Sequence, residues 1–374
     1  MAHAAPITLP DGVHPLYNEN RLKLGIFGTN VSNGCAISTA PTSFVPTFGH
    51  NLEIARKAER YGIEALVPVG RWKGFGGETD FNGNCMEVYT WAAALAARTE
   101  KIVLFATSHV PTVHPLLAAK QATTVDQISG GRFGINIVCG WFSDEMDMFG
   151  GEQMAHDDRY RYASEWITVA KQLWAEDGFS FKGEFFNIKD AYMQPKSVQR
   201  PRPVLMNAGV SEAGRDFAAR EMDFSFGIAT SLEDGAASIA DMKRRAAGYG
   251  RDIGIISNAV VVCRETEQEA RQAYDHIVAC GDDEAVDHLI DVFGVQSQSM
   301  PAAAFAALRE RLIAGWGGFP LVGTPEQVVE GMQRIADIGV DVLLLSWLDY
   351  NEELTFFGER VMPLMVQAGL RQGG

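Results

Sequence analysis

The stretch that decides the fold of this chain is KIVLFATSHVPTVHPLLAAKQATTVDQISGGRFGINIVCGWFSDEMDMFG, residues 101–150. Two apolar runs flank a crossover helix of about fifteen residues, which is the pattern of a βαβ unit with strands buried on both faces. The polar residues at or just beyond the two strand ends are Thr107, Ser108, His109, Asn136, Trp141 and Glu145. In parallel α/β folds the functional groups collect at the carboxyl ends of the strands, so the sequence predicts a site there.

The composition restricts the class of protein. The 374 residues are 47% hydrophobic and 21% charged, which suits a large folded α/β chain, and the net charge of −15 argues against a nucleic-acid partner. No run approaches the roughly 18 apolar residues that span a membrane. Five scattered cysteines without C-x-x-C spacing, and an N-terminus without a signal peptide, predict a cytoplasmic protein with reduced thiols.

Apolar runs and helical patterns alternate along the whole chain. Eight of each favour closure into a (β/α)₈ TIM barrel, an α/β fold, because an open sheet seldom needs that number. The predicted strands are residues 22–28, 64–69, 101–107, 133–139, 203–207, 223–227, 253–263 and 341–347. The sequence predicts an N-terminal tail over residues 1–20 and a single barrel domain over 21–374.

Insertions interrupt this barrel near residues 70–84, 177–200 and 282–320. The alternating aromatic and polar pattern at 179–188 predicts a hairpin. The segment 282–320 is too long for an ordinary βα connection, and such segments are usually lids or binding loops.

The sequence contains no recognisable metal motif. The eight histidines occur singly, and none pairs with another at the i, i+3 or i+4 spacing of a helix. We therefore predict no metal site.

Two helix starts offer anion-binding groups. Residues 208–211 end an apolar strand and open a helix, so free backbone N–H groups with Ser211 as cap can hold a phosphate, although a plain N-cap is the alternative. Arg159 and Tyr160 lie near the start of another helix and are common phosphate donors, although alone they are more often surface residues. Residues 323–327 form a capping box whose role is structural.

Glu145 follows the second strand on a predicted loop. A carboxylate in this place can bind cofactor hydroxyls or act as an acid or base, and the alternative is a solvated acidic turn.

Six stretches together resemble one known family. They are ATTVDQISGGRFGINIVCGW (122–141), DDRYRYASEW (157–166), FKGEFF (181–186), NAGVSEAGRDFAA (207–219), LVGTPEQV (321–328) and FFGERVMPLM (356–365). In this order they resemble the bacterial luciferase-like flavin-dependent monooxygenases over nearly the whole chain. The nearest branches are the pyrimidine oxygenases and the dimethyl sulfone monooxygenases.

The resemblance implies a cofactor and roles for individual residues. It implies that FMN, bound as FMNH₂, meets dioxygen in the pocket. The residues matched to flavin contacts are Val69, Arg71, Asn136 and Glu145, with Arg159, Tyr160 and Ser211 at the phosphate. The residues matched to the dioxygen pocket and its catalysis are Leu66, Thr107, Asn136 and Trp141.

We therefore expect a two-component monooxygenase that receives FMNH₂ from an NAD(P)H-dependent flavin reductase and forms a homo-oligomer. The expected substrate is a small N-heterocyclic amide or imide, pyrimidine-like up to flavin-like, with a sulfone or C–S compound as the alternative. A deazaflavin-dependent dehydrogenase and a non-catalytic flavin-binding protein are further alternatives. Substrate-facing candidates, each with packing as its alternative, are Asn30, Trp72, Phe75, Phe81, His109 and Trp347.

Overall fold

The computed structural model describes residues 7–10, 12–140, 142–151, 154–228, 231–294 and 301–373. The side chains of residues 156 and 157 lie outside this description. The chain divides into two compact units. The first comprises residues 1–18, 88–227 and 240–255, and the second comprises 19–87, 228–239 and 256–374.

Strands and helices follow one another through both units. The strands are β1 Lys23–Phe27, β2 Ala65–Val67, β3 Val103–His109, β4 Phe133–Val138, β5 Phe179–Lys182, β6 Asn187–Ala191, β7 Val204–Asn207, β8 Phe224–Phe226, β9 Gly254–Cys263, β10 Phe319–Gly323 and β11 Val342–Ser346. The helices are α1 Phe48–Arg60, α2 Val88–Ala96, α3 Pro115–Ser129, α4 Ser143–Met148, α5 His156–Ala175, α6 Glu212–Glu221, α7 Leu232–Gly248, α8 Glu267–Ala279, α9 Asp283–Val292, α10 Ala302–Gly315, α11 Pro325–Asp337, α12 Tyr350–Phe356 and α13 Met362–Gln367.

The strands are parallel within each unit. In the first unit β3, β4, β7 and β8 lie side by side in that order. In the second unit the order is β10, β9, β11, β1 and β2. The eight predicted strands correspond to β1–β4, β7–β9 and β11, and the predicted fold class, a (β/α)₈ barrel, is confirmed. Every residue of β3 is buried, as expected of a strand covered on both faces.

The predicted hairpin is confirmed, because β5 and β6 pair in antiparallel fashion with Lys182 opposite Asn187. The insertion at 282–320 contains regular structure: α9, α10 and the start of β10 all fall within it. The strand β10 escaped prediction because its five residues, FPLVG, include a proline and end in glycine. Residues 295–300 of this insertion lie outside the described part of the chain.

The unit β3–α3–β4 positions the predicted site. His114 caps α3 by accepting a hydrogen bond from the backbone N–H of Leu116 at 3.3 Å, and Gly130, with φ of +67°, ends the helix in the left-handed conformation. At Gly134 a side chain is excluded, since a Cβ there would lie 2.4 Å from the ring of Phe105 on β3. The Phe105 ring therefore packs over Gly134 on the neighbouring strand, just before the polar ends of the two strands.

None of the helices in the described ranges is both long enough and apolar enough to cross a membrane.

Candidate active site

Thr107 and Asn136 meet across the two strands. They are register partners in the parallel β3–β4 pair, and the Asn136 Nδ2 donates to the Thr107 Oγ1 at 3.4 Å. Thr107 is 7% exposed and Asn136 9%. Within the described residues the buried Oδ1 of Asn136 has no hydrogen-bond partner. A buried acceptor in this state is costly unless something binds it, so this amide is suited to a ligand. Trp141, predicted beside this pair, lies outside the described residues.

Glu145 lies on α4, so the predicted loop placement is wrong. Asp144 and Glu145 occupy the first turn of this helix, where acidic side chains are favoured by the helix dipole. Glu145 is only 2% exposed, which also excludes the solvated acidic turn for this residue. Its Oε2 lies 3.9 Å from the Nδ1 of His109, and both side chains are buried.

Ser211 and Tyr160 form a cradle at the start of α6. The Ser211 Oγ accepts from the backbone N–H of Gly214 at 3.1 Å, which confirms the predicted cap, and it contacts the Tyr160 hydroxyl at 3.4 Å. A Cβ at Gly214 would lie 2.5 Å from that hydroxyl, and one at Gly209 would lie 3.0 Å from it. The two glycines therefore let a phenol approach the helix N-terminus closely.

Burial raises the pKa of Tyr160 above its usual value, although its bond with Ser211 opposes the shift. The hydroxyl therefore stays a neutral donor at physiological pH. A neutral O–H beside a helix N-terminus favours an anion.

Asn207 is a supporting residue that the sequence reasoning missed. Its Nδ2 donates to the carbonyl of Ile137 at 2.6 Å, and its Oδ1 accepts from the backbone N–H of Gly209 at 2.8 Å. It thereby ties the loop before α6 to β4. Its place at the end of β7 was the available signal.

Arg159 is held beside the connection that follows β4. Its Nη1 donates to the carbonyl of Gly140 at 2.5 Å, while its buried Nε has no partner among the described residues. Burial raises the pKa of Cys139 to about 12, and the positive charge of Arg159 opposes that shift. The guanidinium is thus close enough to act electrostatically on the end of β4.

In the second unit, Asn30 shapes the backbone after β2. Its Oδ1 accepts from the N–H of Val69 at 2.9 Å, and its Nδ2 donates to the carbonyl of Val69 at 2.8 Å. Both polar atoms of the Asn30 amide are therefore used in hydrogen bonds to the backbone. Leu66 is fully buried within β2.

Two predicted substrate-facing aromatics are core residues. Phe75 is 1% exposed and Phe81 is fully buried, and their rings lie 6.0 and 5.4 Å from the ring of Trp316. The Arg71 guanidinium sits 5.1 Å from the Phe75 ring centroid. The structure favours the packing alternative for Phe75 and Phe81.

The other two aromatics differ in exposure. Trp72 is 48% exposed. Trp347 is 2% exposed and packs against Tyr350 and Phe357, but within the described residues its Nε1 has no hydrogen-bond partner. Packing accounts for the burial of the Trp347 ring, whereas its buried Nε1–H donor is available for a ligand.

Asp282 is a second residue that the sequence reasoning missed. Its Oδ2 accepts from the backbone N–H of Thr79 at 2.7 Å and from its hydroxyl at 2.8 Å, and its Oδ1 caps α9. Burial acts to raise the pKa of Asp282, but the bonds from Thr79 prevail and the pKa is lowered. Asp282 thereby fixes the glycine-rich loop 70–84 to the start of α9.

Across the described residues, no three His, Cys, Asp or Glu side chains cluster as metal ligands.

Comparisons with known proteins connect this geometry to one family. Residues 23–342 match the model of the luciferase-like monooxygenases. The chain is 36% identical over 354 residues to an FMNH₂-dependent dimethylsulfone monooxygenase of Pseudomonas putida, which covers 92% of this chain and 95% of the relative. It is 33% identical over 352 residues to the pyrimidine monooxygenase RutA of an Enterobacter species, and this match covers 92% of this chain and 96% of the relative.

A solved structure shares the fold. A riboflavin lyase (RcaE), crystallised with modified FMN and riboflavin, superposes with a TM-score of 0.84 at 22% identity, covering 94% of this chain and 93% of that one.

Proposed function

This chain belongs to the luciferase-like monooxygenase family, and from that premise we propose that it oxygenates a small substrate with reduced FMN and dioxygen. The observation that carries the proposal is the cradle at the start of α6. There, a partly buried tyrosine hydroxyl, a serine cap and two glycines lie together at the N-terminus of the helix. Such a place suits the phosphate of FMN.

The phosphate-binding residues in this proposal are Ser211, Tyr160 and Arg159. The first two are in contact at 3.4 Å. Arg159 adds a fixed positive charge from the first turns of the same helix that carries Tyr160. Asn207 holds the loop in shape, as it bonds both β4 and the loop backbone.

Thr107 and Asn136 would form the polar part of the dioxygen pocket. The unpaired Oδ1 and the Thr107 hydroxyl lie in a nearly water-free strand end, where each hydrogen bond is stronger than in water. Bound FMNH₂ supplies the electrons with which dioxygen is activated. Leu66, Trp141, Val69 and Arg71 keep the roles that the resemblance to the family implies for them.

The proposed substrate is an N-heterocyclic amide or imide, from pyrimidine-like to flavin-like rings. The similarity to the pyrimidine monooxygenase supports this class. A sulfone is the second candidate, because the dimethylsulfone monooxygenase is similar over the same share of the chain.

Because the similar dimethylsulfone monooxygenase is FMNH₂-dependent, we propose that a separate NAD(P)H-dependent flavin reductase supplies the reduced cofactor. Assembly into a homo-oligomer and a cytoplasmic location remain predictions from the sequence.

The test is reconstitution with FMN, a flavin reductase and NADH under ¹⁸O₂, with uracil and dimethyl sulfone as separate substrates. We expect ¹⁸O in the product of one of them, dependent on both FMN and oxygen. Oxygen-independent turnover with a deazaflavin would instead support the dehydrogenase alternative. Tight FMN binding with no product from either compound would contradict the proposed activity on these two classes.

A further inference from the structure

A buried asparagine on β9 has an amide oxygen without a hydrogen-bond partner. Asn258 is 2% exposed, and its Oδ1 has no partner among the described residues. Its Nδ2 donates to the backbone carbonyl of Trp316 at 3.5 Å. Because a carbonyl accepts only from the N–H side of an amide, this contact assigns the other end to the oxygen. The strand therefore holds a buried acceptor that an N–H of a ligand can satisfy.

Asn258 lies on the face of β9 that turns away from helix α11. Val261 is paired with Leu321 of β10, and a Cβ at Gly331 of α11 would lie 2.6 Å from the Leu321 side chain. Asn258 and Val261 are three residues apart in one strand, so their side chains point to opposite faces. The helices of a (β/α)₈ barrel form its outer ring, so Asn258 belongs to the inside of the barrel.

The residues beside Asn258 on this inner face are apolar. Ile256 and Val260 lie two positions away on either side and are each 1% exposed, and Leu344 of β11 is the register partner of Asn258. An amide in such surroundings costs free energy unless it is hydrogen-bonded. Stability of the fold alone therefore does not account for an asparagine at this position.

The turn between α10 and β10 holds the Asn258 amide in place. A Cβ at Gly315 would lie 2.5 Å from the Cβ of Val260, and a Cβ at Gly318 would lie 2.9 Å from the Asn258 Nδ2. The two glycines thus let this turn lie directly on β9. Contact with the turn gives the Asn258 Oδ1 a fixed direction, which a selective hydrogen bond requires.

We propose that Asn258 selects substrates with a lactam or imide N–H, which donates a hydrogen bond to its Oδ1. This inference rests on the proposed function and narrows the substrate to the N-heterocyclic class. Uracil carries N–H groups of this kind, whereas dimethyl sulfone has none. A site built to accept an N–H rejects analogues that lack it, because the acceptor is then left buried and unpaired.

Equilibrium dialysis of ¹⁴C-uracil against the FMN-loaded protein, with 1,3-dimethyluracil as competitor, measures this selection. In the parent protein we expect uracil to bind about tenfold or more tightly than the methylated ring, which has no N–H. Asn258→Leu has a similar shape without the acceptor, and it should bind uracil about tenfold more weakly. Its preference for uracil over 1,3-dimethyluracil should fall by the same factor, because steric exclusion of the methyl groups does not depend on the acceptor.

The isoalloxazine ring of FMN also carries an imide N–H, so the FMN dissociation constant is measured for each protein. It should stay within twofold of the parent value in Asn258→Leu. The matched control is Asn351→Leu, the same change at a buried asparagine of α12 whose Oδ1 likewise has no partner among the described residues. This control should leave the dissociation constants of uracil and FMN within twofold.

Each contrary result has its own meaning. If the parent binds 1,3-dimethyluracil as tightly as uracil, the inference is wrong whether or not the variant folds. If Asn258→Leu binds uracil like the parent but FMN tenfold more weakly, the acceptor serves the cofactor and the substrate assignment is wrong. If the parent binds and oxygenates dimethyl sulfone but does not bind uracil, the inference is wrong and the proposed function stands. If the parent binds neither compound, the proposed substrate classes are wrong and the inference falls with them.

Discussion

Replacing Gly214 by alanine should disable the proposed phosphate cradle although alanine favours helices. A Cβ at this position would lie 2.5 Å from the Tyr160 hydroxyl and 2.9 Å from the Cα of Gly209. Ordinary contact is about 3.5 Å, so the phenol must retreat by roughly 1 Å. The backbone of Gly209 is also held by the hydrogen bond that its N–H donates to the Asn207 Oδ1 at 2.8 Å.

The retreat separates Tyr160 from Ser211, whose contact is already 3.4 Å. A hydrogen bond to a charged group contributes about 1.5–3 kcal/mol, so losing the tyrosine donor corresponds to roughly 10- to 150-fold weaker FMN binding. The gain in helix propensity from glycine to alanine is at most about 1 kcal/mol and does not act on the ligand. We therefore expect weaker binding together with a loss of stability of about 1–3 kcal/mol, since the contact with the Gly209 backbone cannot be relieved by moving a side chain.

Fluorescence titration of FMN, repeated anaerobically with FMNH₂, measures this effect. The matched control is Gly248→Ala at the end of α7, where a Cβ would meet nothing within 4 Å. In Tyr160→Phe, which already lacks the donor, Gly214→Ala should weaken binding by a smaller factor. A Gly214→Ala protein that binds FMN within twofold of the parent would refute the cradle.

Four other substitutions and a change of pH test the remaining assignments. Arg159→Ala should weaken FMN binding tenfold or more in the same titration, because it removes the fixed charge near the phosphate; an unchanged affinity for FMNH₂ would exclude that role. Thr107→Val and Asn136→Ala should each lower the rate of product formation about a hundredfold or more while FMN binding persists, and coupled turnover near the parent rate would contradict the pocket. Asp282→Ala should speed proteolytic cleavage within residues 70–84, because it removes two bonds from Thr79. Acidification of the parent protein should also speed this cleavage. The pKa of Asp282 is lowered in the folded state, so the stabilisation by its carboxylate is lost as the pH falls. Equal cleavage rates in the parent and in Asp282→Ala would exclude the anchoring role.

Local signals in the sequence predicted much of the fold. The apolar run that begins β3 and the alternation of strands with helices need only nearest neighbours in the chain to be recognised. The caps at Ser211 and Thr324 were likewise readable, because a capping residue bonds a backbone group three residues away.

The rest depends on contacts between distant parts of the chain. Phe75 and Phe81 lie in a predicted loop. They are core residues because their rings pack against Trp316, which is distant in sequence. Asn30 looked like a ligand-facing amide, but its partner is the backbone of Val69. The sequence predicts a loop at Glu145 because a six-residue helix leaves too short a pattern to recognise.

The bonds between Asp282 and Thr79 have a consequence for engineering chimeras. The glycine-rich loop and α9 are far apart in sequence, yet one carboxylate serves both, and a Cβ at Gly77 would collide with it. If loop 70–84 alone is replaced by that of a relative, the Asp282 carboxylate loses its hydrogen-bond donors where the new loop lacks the counterpart of Thr79. Where the new loop has a side chain at the position of Gly77, that side chain collides with the carboxylate. Residues 70–84 and the start of α9 should therefore be exchanged as one cassette.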